Sequence, residues 1–276
     1  MQLKARVRNM AKEKNLEAEV VLRQYMLEKV LEKISLSTYK DNFVLKGGML
    51  IAAIVGIDAR STMDMDGTLK GVILKKAQIE TMFASILAVE ISDEVKMKLV
   101  GIDDIRDEAE YPGFRVTIEA ILDKTRQMIK LDITTGDIIT PKEINYSFKL
   151  LFEDRAIEIK AYNLETVLAE KLESVIIRGT TNTRMRDFYD IHMLISLHST
   201  NIDMRVCSEA LKKTTTKRKT NLQFQSSTLA VDMLEQSSIM VNLWKRYQGQ
   251  YKYAEDITWQ HIIDSVKCLM EYTNIN

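Results

Sequence analysis

At 276 residues, with 46% apolar and 28% charged side chains, the chain has the composition of a folded globular protein, large enough for one domain or two smaller ones. Its 39 basic and 39 acidic side chains cancel, so no global field draws it to nucleic acid and any such contact must be local. Cys207 and Cys268, its two cysteines, exclude a disulfide framework and lack zinc-site spacing; with a charged N-terminus and no long apolar run, the expectation is a soluble cytoplasmic protein without a membrane partner.

Between Leu16 and Ile34, the residues Val20, Val21, Leu22, Tyr25, Met26, Val30, Leu31 and Ile34 recur at helical steps and predict an amphipathic helix. The basic residues ahead of it, Lys4 to Lys14, read as a solvated helical face. Phe43 to Leu45 reads as a short strand ended by Gly47 and Gly48. The apolar run MLIAAIVG then predicts a buried helix closed by Gly56, with free amides and the positive dipole end at the glycines, where phosphate can bind. Asp64 and Asp66 follow, and on a strand they share a face while Met63 and Met65 point the other way.

Lys75 to Glu90 predicts another helix, after which the period changes to two. VKMKLVGI, FRVTIEAIL, QMIKLDIT and KLLFEDRAIEIKAY are successive strand candidates, with Pro112 and Gly113 marking one turn and Gly136, Asp137 and Pro141 another. In the third of these strands Asp132 shares a face with Lys130 and Thr134.

Beyond Tyr162 the pattern is helical, with Asn163 as N-cap and Glu165 in the first turn. That helix places Lys171 among Leu164, Val167, Leu168, Leu172 and Val175, and the helix from Arg184 directs Asp187 inward with Asp190 beside it. A buried lysine is costly without a partner or a task, so an internal Lys171–Asp187 salt bridge and a polar site between the helices and the sheet both account for the placement. Lys212 to Thr220 reads as a solvated basic loop, and Ser226 to Tyr247 and Ile257 to Tyr272 as helices with Leu229, Met233, Trp244, Trp259, Ile263 and Val266 in the core.

Three carboxylates on neighbouring strands, a Gly pair at a helix start and an inward lysine predict metal-assisted phosphoryl or nucleotidyl transfer. Asp64, Asp66 and Asp132 are the candidate ligands of Mg²⁺, a hard cation that prefers oxygen.

The pieces LKGGM at Leu45 to Met49, RSTMDMD at Arg60 to Asp66, LDI around Asp132, LAEKLE at Leu168 to Glu173 and TRMRDFYD at Thr183 to Asp190 occur in this order over about the first two thirds of the chain. The set resembles the AbiEii type of nucleotidyltransferase toxin, a branch of the DNA polymerase β-like superfamily that also includes the MenT toxins. The resemblance implies an α+β protein, with a mixed-sheet nucleotidyltransferase lobe and its N-terminal helix over residues 1–162 and a helical lobe over 163–276 that contributes Lys171 and Asp187 to the site. It implies Asp64, Asp66, Asp132, Lys171 and Asp187 as catalytic, with Gly47, Gly48, Lys171, Arg186 and Asp190 binding the nucleotide.

The implied activity is that of a toxin of a bacterial toxin–antitoxin or abortive-infection system. It moves a nucleoside monophosphate from an NTP to RNA, with the tRNA 3′ end as acceptor and two Mg²⁺ ions in turnover, so that translation stops. A cognate antitoxin is the implied partner. Alternatives are transfer to a small molecule or a protein, and a non-catalytic NTP-binding regulatory module. The chain departs from the family pattern at Gly67 and Thr68, where an apolar residue is usual, a departure expected to shorten the strand or open the site.

Overall fold

The computed structural model describes residues 2–72, 75–105, 113–220 and 224–273, so the predicted turn residue Pro112 lies outside the described residues. The chain divides into two compact units, residues 1–137 with 143–162, and residues 138–142 with 163–276.

The first unit is built on a seven-stranded mixed sheet in the order β3-β4-β5-β2-β1-β7-β6. Its strands are β1 (Phe43–Lys46), β2 (Met65–Leu69), β3 (Val95–Ile105), β4 (Gly113–Leu122), β5 (Thr125–Thr135), β6 (Ile144–Lys149) and β7 (Ala156–Ala161). β2 runs parallel to β5, and β1 parallel to β7; the other neighbours are antiparallel. Helices α1 (Gln2–Glu13), α2 (Ala18–Leu36), α3 (Gly47–Val55) and α4 (Lys76–Leu87) complete the unit. The alternation of β4 and β5 buries Val116, Ile118, Ile129, Leu131 and Ile133, and α2 packs on the sheet with Val21, Met26, Leu27, Val30 and Leu31 fully buried.

Two expectations need correction here. KLLFEDRAIEIKAY is not one strand: its first residue, Lys149, closes β6, a turn at residues 151–154 follows, and β7 holds AIEIKA. The polar residues Glu153, Asp154 and Arg155 interrupt the apolar alternation, and Ile144, Tyr146 and Phe148 upstream carry the period-two signal of β6. Nor do Gly67 and Thr68 shorten β2, which runs on to Leu69. A Cβ at Gly67 would lie 2.4 Å from the Phe43 ring, so the glycine is what lets β1 and β2 pair with that ring lying against residue 67.

The second unit contains α5 (Leu164–Arg178), α6 (Met185–His198), α7 (Met204–Lys217), α8 (Phe224–Gln236), α9 (Ser238–Gln250) and α10 (Trp259–Thr273). Asn163 caps α5 by accepting from the Thr166 amide, as its position predicts, and its amide group donates to Thr140, which ties the 138–142 segment to this unit. Trp244, Trp259 and Phe188 form the aromatic core, with ring centroids 5.3 Å apart for Phe188–Trp259 and 6.2 Å for Trp244–Trp259.

Here too the sequence reading needs correction. Lys212 to Lys217 is helical, because Asp203 caps α7 and Cys207, Ala210, Leu211 and Thr214 give it a buried stripe. The predicted helix from Ser226 breaks at Ser237, whose hydroxyl caps α9 by accepting from Met240. Leu229 and Met233 are exposed, and α8 turns Val231 and Leu234 inward instead.

Candidate active site

Register across the sheet assembles a row of charges. Lys46 on β1 stands opposite Asp66 on β2, Asp66 opposite Asp132 on β5, Asp132 opposite Arg115 on β4, and Arg115 opposite Asp103 on β3. Directly opposed residues project from the same face. That face is turned away from the one that buries Met65, Leu131 and Val116, themselves in register. The row thus sets two central carboxylates between two cations, with Asp103 beyond Arg115 and Asp64 exposed one step before β2 begins.

Gly47 and Gly48 abut this row at the start of α3. A Cβ on Gly47, which has φ of 65°, would lie 2.2 Å from the Asp66 carboxylate, so only glycine allows the helix start to approach it. The Gly48 amide donates to Asp66. Burial pushes the Asp66 carboxyl above its ordinary range, Asp132 and Asp64 add to that, and Lys46 and the Gly48 amide oppose it. Accumulated negative charge in a half-buried position is what a bound cation relieves.

Two side chains that sequence reasoning did not single out complete the row. Arg115 donates from Nε and Nη2 to the two oxygens of Asp132 at 2.8 and 2.7 Å, a bidentate pair, and this bonding raises the guanidinium above even its usual range. Lys46 donates to Thr134 at 2.7 Å and to Asp137 at 2.5 Å, and Tyr162 donates to the same Asp137 oxygen at 2.8 Å. Burial alone would raise Asp137, but Lys46, Tyr162 and Thr134 overcome it and bring the carboxyl down to about 2. Lys46 is therefore held as a cation beside the Gly pair. Its place immediately before Gly47 was the available signal; for Arg115 the signal lies in strand register, which one strand's sequence does not contain.

Among the described residues no group of three or more His, Cys, Asp or Glu side chains stands ready to hold a metal, so Asp64, Asp66 and Asp132 are not gathered into a three-ligand cage. Mg²⁺ does not require one: it is ordinarily taken by one or two carboxylates, with water and substrate phosphates completing the shell. The all-oxygen donor set of neighbouring aspartates fits that mode.

In the second unit, Lys171 on α5 reaches Asp187 and Asp190 on α6, at 2.8 Å each. Burial by itself would lower the lysine's pKa, but the two aspartates outweigh it and hold it above the ordinary range. The expected Lys171–Asp187 contact is present, and Asp190, 1% exposed, is a second partner. Arg186 faces elsewhere, donating to the Tyr251 hydroxyl at 2.8 Å with its guanidinium 5.3 Å from that ring's centroid.

Solved structures share the fold. An H. pylori protein assigned as a nucleotidyltransferase matches with a TM-score of 0.51 at 13% identity, covering 94% of this chain and 97% of that one. JHP933 from Helicobacter pylori matches with a TM-score of 0.51 at 12% identity, covering 94% of each chain. No curated protein matches the sequence. The sequence profile of the family described as "Nucleotidyl transferase AbiEii toxin, Type IV TA system" matches residues 29–265. The chain belongs to this AbiEii family, and is a nucleotidyltransferase of the toxin–antitoxin class.

Proposed function

We propose that the enzyme transfers a nucleoside monophosphate from an NTP to an RNA hydroxyl, the 3′ end of tRNA, with Mg²⁺, and so arrests translation in the cytoplasm. The observation that supports this best is the in-register pair Asp66–Asp132 against the Gly47–Gly48 helix start, flanked by Lys46 and Arg115. The acceptor oxygen bonds to the α-phosphorus, the bond from that phosphorus to the β-bridging oxygen breaks, and pyrophosphate leaves with the electron pair.

Asp64 and Asp66, with Asp132, would hold Mg²⁺, which when bound neutralises triphosphate charge and orients the phosphates. The N-terminal end of α3 would bind phosphate oxygens, with Lys46 adding positive charge beside it. Asp132 is assigned to accept the hydroxyl proton, on a lone pair that its two bonds from Arg115 leave open. In the second unit the same reading assigns Lys171 to triphosphate charge, Asp187 to positioning Lys171, and Arg186 and Asp190 to nucleotide binding. RNA as acceptor draws support from Tyr251 and Tyr253, half-buried and stacked at 5.2 Å beside Arg186, a combination on which unpaired bases stack.

Incubation with radiolabelled NTPs, Mg²⁺ and total tRNA tests this. The reading expects label on tRNA. Label on a protein or small molecule instead would replace the acceptor, and NTP binding without transfer would make the protein a regulatory module.

A further inference from the structure

A cavity lies in the first unit, lined by none of the residues of the charge row. It measures about 300 Å³ and is lined by Gln24 and Glu28 of α2, by Ala52, Ala53 and Gly56 at the C-terminal end of α3, and by edge strand β6 with Leu151 after it. At this size it exceeds what one or two waters fill and reaches the lower bound of small-molecule sites.

Two of its buried polar atoms, both acceptors, lack a partner among the described residues. Glu28 is 1% exposed and Gln24 4% exposed, one helical turn apart, and Glu28 Oε1 and Gln24 Oε1 are both buried with no hydrogen-bond partner among the described residues. The other Glu28 oxygen accepts from the Leu151 amide at 2.7 Å, which fixes the carboxyl in place. The nearby cation Lys29 is already engaged, by Glu32 at 2.7 Å and Glu153 at 2.6 Å, and Lys149 at the rim is exposed. The last turn of α3 adds the negative end of a helix dipole. Two buried unpaired acceptors and a helix C-terminus favour a cation that donates hydrogen bonds, while Ala52, Ala53 and the buried face of Phe148 favour an apolar body behind it.

We propose that this cavity is a binding site for a small organic amine, its ammonium donating to Glu28 Oε1 and Gln24 Oε1 and its apolar portion lying against α3 and β6. Burial, joined by the charges of Glu153 and Glu32, pushes the Glu28 carboxyl up to about 8 against the Leu151 amide and Lys29, and a bound ammonium supplies the counter-charge that keeps it ionised. The site has a consequence for the rest of the unit. The nine-residue helix α3 runs about 13 Å from the Gly pair at one end to this cavity at the other, so an occupant bears on the element that presents Gly47 and Gly48.

The test uses the full chain, with benzylamine and its neutral counterpart benzyl alcohol as probes in thermal-shift and calorimetric titrations. Benzylamine is expected to bind at least about tenfold more tightly than benzyl alcohol, the margin of one charge-assisted hydrogen bond. Glu28→Gln keeps an acceptor for the Leu151 amide and should abolish that preference, while Ala53→Leu fills the cavity and should weaken both probes. Equal binding of the two probes, an undiminished amine preference in Glu28→Gln, or no saturable binding of either would each overturn the proposal, leaving Glu28 as a buried carboxyl satisfied by a proton and water.

Discussion

Asp66 takes its character first from burial, which raises its proton affinity, and then from four neighbours: Asp132 and Asp64 raise it further, while Lys46 and the Gly48 amide lower it. Replacing Asp66 or Asp64 with Ala removes a proposed oxygen ligand and also relieves like-charge repulsion, so the fold should survive while transfer falls by roughly a hundredfold or more, the scale of losing a preorganised electrostatic contact. Growth inhibition beside circular dichroism of the purified variants checks this, and full toxicity in either variant would remove the metal assignment. Lys171 is a different case, because its removal takes away the ammonium that pairs with both Asp187 and the buried Asp190. Lys171→Ala should cost about 3–5 kcal/mol of stability, as breaking one side of a buried pair does. Transfer by this variant must therefore be measured well below its melting temperature, where the proposed triphosphate role still predicts a loss of activity; a stable, folded Lys171→Ala that transfers normally would leave Lys171 a purely structural partner.

At the scale of elements, β1 and β2 show how a departure from a family pattern can be a packing solution. Gly67→Ala should destabilise by about 1–3 kcal/mol through overpacking against Phe43, and the added Phe43→Leu change should recover part of that loss. Urea denaturation of the single and double variants measures the coupling, and additive losses would mean that the ring does not set the choice of residue 67. Most elements were legible because their patterns were long: α2, α5 and the strands β3 to β5 fall where helical spacing and alternation place them, and α3 where an unbroken apolar run does. The failures have physical causes. The β6–β7 hairpin was hidden by two short apolar runs read as one, and α7 was hidden by a Lys- and Thr-rich exposed face whose buried stripe is only one residue in three or four. At the candidate site, Asp64, Asp66 and the Gly pair were readable from local spacing. Arg115 and the full charge row were not, because they depend on which residue of one strand stands opposite which residue of the next.

For the molecule as a whole, the zero formal charge leaves stability to depend on particular buried groups rather than on global repulsion. Glu28 is the clearest, raised by burial from an ordinary value of 4.5 to about 8. Between these values the native state keeps a proton that the unfolded chain has released, so this contribution is complete below pH 4.5 and is lost as the pH rises through about 8. Melting temperatures measured from pH 5 to pH 8 should fall for the wild type and fall less for Glu28→Gln; parallel curves for the two proteins would show that Glu28 is not the group responsible. No helix among the described residues is long and apolar enough to cross a membrane. Family membership makes the chain a nucleotidyltransferase toxin, and its central claim of mechanism is that the α-phosphorus of an NTP is the atom attacked. The most direct measurement runs the tRNA reaction twice, once with α-³²P-labelled and once with γ-³²P-labelled NTP. Attack at the α-phosphorus attaches α-label to tRNA and releases γ-label as pyrophosphate; γ-label on the tRNA, or neither label attached, would contradict it.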